Sequence, residues 1–132
     1  MLVVDDEPLI AETLAEILRT AGYAVSVAYN GETASEMAEI APPELLVTDI
    51  CMPGMNGVQL AIELCRSIPD CQVLLFTGYP GNDALAAAEK AGHHFTVLEK
   101  PLSPRSVLSE LGTLRNGTPS VDRTEGVHVI TR

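Results

Sequence analysis

Leu45-Leu46-Val47-Thr48-Asp49-Ile50-Cys51-Met52-Pro53-Gly54-Met55-Asn56-Gly57 carries an apolar run that ends in one carboxylate and passes at once into a loop of proline and glycine. The run reads as a buried strand, and Pro53, Gly54 and Gly57 as the punctuation that turns the chain back. A strand that is apolar throughout is covered on both faces, which is the habit of parallel sheets. The stretch therefore delivers Asp49 to the edge of a sheet. An isolated Asp at a strand end is often only a turn former, so the rest of the chain decides its meaning.

Working outward, the same alternation recurs. Before the stretch, Leu2-Val3-Val4 stops at Asp5-Asp6, and Pro8 opens a helix marked by Ile10, Leu14, Ile17, Leu18 and Ala21, with Gly22 as its C-terminal cap. Tyr23 to Ala28 alternates like an edge strand, Asn30-Gly31 turns, and Ala34, Met37, Ala38 and Ala41 stripe a second helix that Pro42-Pro43 ends. After it, Leu60, Ala61, Leu64, Cys65 and Ile68 mark a third helix, and Val73 to Phe76 form an apolar strand ending at Thr77-Gly78. An alanine-rich helix follows, capped by Asn82 or Asp83 and closed by Gly92. Phe95 to Leu98 is the fifth strand and runs into Glu99-Lys100-Pro101. Ser103-Pro104 starts the last helix with Val107, Leu108 and Leu111. Five strands alternating with five helices predict an α/β fold, a parallel sheet with helices on both faces. From Asn116 the chain turns polar, and residues 116–132 read as a loose tail or linker after a domain spanning 1–115; a strand at Val127 to Ile130 is the lesser alternative.

Composition narrows the function. With 132 residues, 46% hydrophobic and 20% charged, the chain suits one globular domain. Its net charge of -10 repels phosphate backbones and anionic lipid, arguing against direct binding to nucleic acid or membrane. No apolar run reaches the roughly 18 residues of a membrane span, and Met1-Leu2-Val3-Val4 has neither the basic start nor the cleavage site of a signal peptide. Cys51, Cys65 and Cys71 have no CxxC spacing and read as thiols of a reducing compartment, the cytoplasm.

Four of the five strands end at a distinctive side chain: Asp5-Asp6, Asp49, Thr77 and Lys100. In a parallel sheet these ends share one edge, where open α/β sheets bind ligands. Like charges about 4 Å apart repel by about 4 kcal/mol at an effective dielectric of about 20. A hard divalent cation offsets that cost, and Mg2+ prefers one or two carboxylates plus phosphate oxygens. A lysine and a hydroxyl remain for further phosphoryl oxygens, as phosphoryl transfer requires.

Together, Asp5-Asp6, the Asp49–Gly57 stretch, Phe76-Thr77-Gly78 and Glu99-Lys100-Pro101 make residues 1 to 115 resemble the receiver domain of bacterial two-component response regulators. The resemblance implies a flavodoxin-like, five-stranded sheet of order 2-1-3-4-5. It implies that Asp49 takes a phosphoryl group from a sensor histidine kinase or a histidine phosphotransfer protein. Mg2+ would be bound by Asp6 and Asp49 directly, by Asp5 through water and by the backbone carbonyl of Cys51. Thr77 and Lys100 would bind phosphoryl oxygens, Lys100-Pro101 would be cis, and the fourth helix and fifth strand would face a downstream partner. Such a protein is a switch that promotes its own phosphorylation and slow dephosphorylation, not a turnover enzyme. The chain departs from the family at Val97, where a tyrosine or phenylalanine usually stands three residues before the lysine; Phe95 does not fall on that position.

Other readings stand beside this one. Asp5-Asp6 alone would serve as a strand-to-helix cap. Cys51 beside carboxylates reads as an inert small side chain, and His93, His94 and His128 lack ligand spacing. The fourth helix, with Leu85 and Ala88, reads as simple packing or as a partner surface. A Mg2+-dependent phosphohydrolase with an aspartyl intermediate would want Asp-x-Asp after the first strand. A flavin or nucleotide module would want a glycine-rich phosphate loop. The chain also fits a receiver module excised from a larger regulator or hybrid kinase.

Overall fold

The computed structural model describes residues 1–78, 83–101, 103–115 and 127–129. Strands β1 (Leu2–Val4), β2 (Ser26–Ala28), β3 (Leu45–Asp49), β4 (Gln72–Thr77) and β5 (Thr96–Glu99) alternate with helices α1 (Pro8–Thr20), α2 (Gly31–Ile40), α3 (Gly57–Ser67), α4 (Asp83–Lys90) and α5 (Pro104–Arg115). The five strands are parallel, as the alternation predicts, in the order 2-1-3-4-5 that the resemblance implies.

Helix starts follow local chemistry. Pro8 opens α1, where its missing N–H costs nothing. Asn30 caps α2, its side chain accepting from the Thr33 N–H at 2.7 Å. Asn56 and Gln59 form a reciprocal capping box at α3. Ser103 accepts from the Ser106 N–H at the start of α5. The alternative reading of Asp5-Asp6 as a helix cap finds no support: the N-cap of α1 is Glu7, and Asp5 is a buried strand-end carboxylate that accepts from the Glu7 N–H at 2.9 Å. Asn82, the alternative cap for α4, lies outside the described residues.

Two apolar layers flank the sheet. Val3, Val47, Phe76 and Leu98 pack with Leu14 and Leu18 of α1 and Val107 and Leu111 of α5. On the other face Val4, Leu46, Leu75 and Val97 pack with α2, α3 and α4, including Leu85 and Ala88. The apolar stripe of α4 is thus spent on the core, and Ala86, Ala87, Glu89 and Lys90 are left exposed.

Residues 127–129 depart from the expected loose end, while 116–126 and 130–132, with the Ile130 end of the alternative strand, lie outside the described residues. Val127–Val129 form a sixth strand, β6, antiparallel to β5 with Leu98 opposite Val127 and Thr96 opposite Val129. A bare β5 would present a row of unpaired backbone groups at the sheet margin. A Val-His-Val segment, with two β-branched residues, suits a pleated partner for them. β2 closes the other margin and is the edge strand that its alternation suggests.

Candidate phosphoacceptor site

Register brings the strand ends together. Val4 stands opposite Thr48, so Asp5 follows beside Asp49; Asp49 stands opposite Phe76, and Thr77 opposite Glu99, one residue before Lys100. Side chains alternate with a period of two, which sets Asp5 and Asp49 on the α1/α5 side with Val3 and Val47. Thr77 shares the parity of Leu75, on the α2–α4 side.

Lys100 donates from Nζ to Asp49 Oδ2 at 3.1 Å, and its ammonium stands 5.4 Å from the centre of the Phe76 ring. The lysine is therefore held between a carboxylate and an aromatic face, two features that favour a cation. Its backbone N–H donates to the Thr77 carbonyl at 2.8 Å, which ties the start of the β5–α5 loop to the end of β4. The Lys100-Pro101 bond is cis. The Thr77 side chain is fully buried.

Asp5, Asp6 and Asp49 each bring a carboxylate oxygen within 4.8 Å of the others. Asp5 and Asp49 are buried, and Asp6 stands at the more open side. Burial pushes the Asp5 carboxyl up to about 6, against the lowering effect of its bond from Glu7; the nearby charge of Asp49 adds to the rise. Asp49 is also raised by burial, although Lys100 and the Cys51 N–H, 3.3 Å from Oδ1, hold it back. Asp5 Oδ2 is buried with no hydrogen-bond partner. An orphaned carboxylate oxygen in an all-oxygen cluster fits a hard divalent cation, because such a cation would satisfy the lone pairs and cancel the repulsion.

These shifts have a sign that can be tested. Both carboxyls sit above their unfolded values, so the folded protein holds protons that the unfolded chain releases. Without metal, the contribution of Asp5 to stability is fully present below the unfolded value of 3.8 and is lost as the pH rises through about 6, and that of Asp49 is likewise lost on raising the pH. For Asp5 it amounts to at most about 3 kcal/mol. Thermal unfolding in a chelator is expected to show Tm losing this contribution between the unfolded value of 3.8 and about 6, and saturating Mg2+ to raise Tm most above that range. A Tm insensitive to Mg2+ at pH 7 to 8 would contradict the cluster's role as a cation site.

Two residues matter here in ways the sequence reading missed. A Cβ on Gly57 would lie 2.0 Å from the Asp49 carbonyl oxygen, so the start of α3 touches the end of β3 only because Gly57 has no side chain. Glu32, on α2, accepts from the Met55 N–H at 3.1 Å. The glycine was visible in the opening stretch as a turn residue; nothing in the sequence pairs Glu32 with Met55.

The model of the response regulator receiver domain family matches residues 1–111. The chain belongs to that family. It is 40% identical over 107 residues to a response regulator receiver protein of Anaeromyxobacter sp. (strain Fw109-5), covering 81% of this chain and 44% of that protein. It is 33% identical to the response regulator receiver protein CpdR of Brucella abortus, covering 84% of this chain and 92% of CpdR. Of the probable transcriptional regulatory protein TcrX of Mycobacterium tuberculosis it spans 53%, at 33% identity. Thus the chain spans about half of some relatives and nearly all of another. Among solved structures, a CheY-like receiver domain protein from Methanospirillum hungatei superposes with a TM-score of 0.78 at 27% identity, over 87% of this chain and 92% of that one. Receiver domains bind Mg2+ through acidic residues and work with histidine kinases or phosphotransfer proteins. Among the described residues, no helix is long and apolar enough to cross a membrane.

The usual aromatic position of the receiver family is Val97, and the structure buries it against the α2–α4 layer, opposite Leu75. Phe95 is buried in the same layer, two residues earlier. The aromatic bulk is therefore present but sits farther from the sheet edge that carries Asp49 and Thr77, and a valine has no ring to swing.

Proposed function

We propose that this receiver domain is a Mg2+-dependent phosphoacceptor, with Asp49 as the nucleophile that receives a phosphoryl group from a phosphohistidine on a kinase or phosphotransfer protein. The observation that carries the reading is the convergence of Asp5, Asp6 and Asp49 within 4.8 Å, with Lys100 bonded to Asp49. An oxygen of the Asp49 carboxylate attacks phosphorus, a P–O bond forms, the P–N bond breaks, and the imidazole leaves with its electron pair. Lys100, already 3.1 Å from Oδ2, then accompanies the acquired phosphoryl oxygens, and the Thr77 hydroxyl binds another. Asp5, Asp6, Asp49 and the Cys51 carbonyl would hold Mg2+, which neutralises charge on the transferring group. Hydrolysis of the acyl phosphate resets the switch.

In this reading residues 1–115 are the receiver unit, and 116–132 are a tail or a link to a further module. The α4–β5 side is the proposed output face, and the cytoplasm the proposed location. Intact-mass analysis of the protein with acetyl phosphate and Mg2+ is expected to show one phosphoryl adduct, removed by chelation of the metal beforehand. An unmodified mass under these conditions would overturn the proposal.

A further inference from the structure

The loop from Ile50 to Asn56 leaves the sheet directly after Asp49 and carries the Cys51 carbonyl. Its two ends are tied to β4 and to each other: Ile50 N–H donates to the Phe76 carbonyl at 3.0 Å, and Gly57 N–H to the Ile50 carbonyl at 2.9 Å. Its middle is tied from elsewhere. The carboxylate of Glu32, in the first turn of α2, takes the Met55 N–H at 3.1 Å across 23 residues of chain.

Packing supports that tether on both sides. A Cβ on Gly31 would lie 2.8 Å from Met55 Cβ and 2.9 Å from the Met55 carbonyl oxygen, so α2 reaches the loop only with glycine there. A Cβ on Gly54, which has φ +74°, would meet the same Glu32 oxygen at 2.9 Å. The Asn30 cap in turn fixes the first turn of α2. Asn30, Gly31 and Glu32 thus form a brace under the tip of the loop.

We propose that Glu32 is a positioning residue of the phosphoacceptor site, holding the β3–α3 loop so that the Cys51 carbonyl faces the Asp5/Asp6/Asp49 cluster. The role rests on the phosphoacceptor reading. It belongs to the hydrogen bond and not to the charge of Glu32. A glutamine offers an amide oxygen at the same reach and keeps the tether, whereas alanine removes it. A contribution from negative charge alone would instead make glutamine and alanine alike.

The test compares the full chain with Glu32→Ala and Glu32→Gln. Amide exchange by NMR in metal-free protein is expected to quicken at Met55 roughly tenfold in the alanine variant, with β3 amides unchanged. Mg2+ titration followed by chemical shifts is expected to show affinity weakened roughly threefold to tenfold by alanine and restored by glutamine. The rate of phosphorylation by acetyl phosphate should follow Mg2+ affinity. An alanine variant equal to wild type in Met55 exchange and in Mg2+ binding would overturn the role of Glu32 while leaving the phosphoacceptor reading intact. A glutamine variant as weak as alanine in Mg2+ binding would overturn the tether in favour of charge. A wild-type protein that binds no Mg2+ and takes no phosphoryl group would overturn both readings.

Discussion

Asp49→Asn is expected to give a folded protein that takes up no phosphoryl group from acetyl phosphate, by intact mass, at any Mg2+ concentration. In the proposed reaction the carboxylate supplies the attacking oxygen, and an amide oxygen is too weak a nucleophile to form the acyl phosphate. The loss should therefore be complete and not partial. It should not come from unfolding. Burial raises Asp49, so its charge is a cost to the metal-free fold, and removing that charge also relieves its repulsion with Asp5. Against this gain stands Lys100, which loses its ionic partner but is partly open to water. A Tm within a few degrees of wild type, with no adduct, is the expected pair of results. An adduct that persists in Asp49→Asn would move the phosphoacceptor to another residue.

Gly57→Ala is expected to produce the largest loss of stability of any glycine-to-alanine change among the described residues. Its Cβ would lie 2.0 Å from the Asp49 carbonyl oxygen, 2.9 Å from the carbonyl carbon and 3.0 Å from Ile50 Cα. All three are backbone atoms at or just past the end of β3, where the proposed nucleophile sits, so no side-chain rotation relieves the clash. Either α3 moves off the sheet, giving up its capping box and its buried Val58, Leu60, Ala61 and Leu64, or the end of β3 shifts with Asp49. A cost of about 3 kcal/mol or more follows, seen as a Tm lower by roughly 10 °C or more. Weakened Mg2+ binding should accompany it. A Tm unchanged within a degree or two would mean that α3 rides freely over the end of β3.

Much of this was legible in the residues. Apolar runs that stop at Asp5, Asp49, Thr77 and Lys100 declare buried parallel strands, and the shared edge of such a sheet gathers those ends without further assumption. Helix starts at Pro8 and Ser103 were equally readable, because caps and N1 prolines act within a few residues of themselves; Asn30 read only as a turn, and the Asn56 cap emerged only in the structure. The tail was less so. Its short Val-His-Val segment has no strong signal, and only the unfilled margin of β5 gives it a partner.

What the sequence by itself determined is the set of groups and their common edge, since period and polarity are local properties of the chain. Tertiary structure decided the rest. Register, a relation between strands distant in sequence, set Asp5 beside Asp49 and Lys100 within bonding reach of it. Desolvation by the packed layers raised Asp5 and Asp49 and left Asp5 Oδ2 without a partner. The contact of Glu32 with Met55, like that of Gly57 with the end of β3, arises only when helices α2 and α3 close on the sheet. Distances between elements are fixed by packing, and no periodicity within one element can state them.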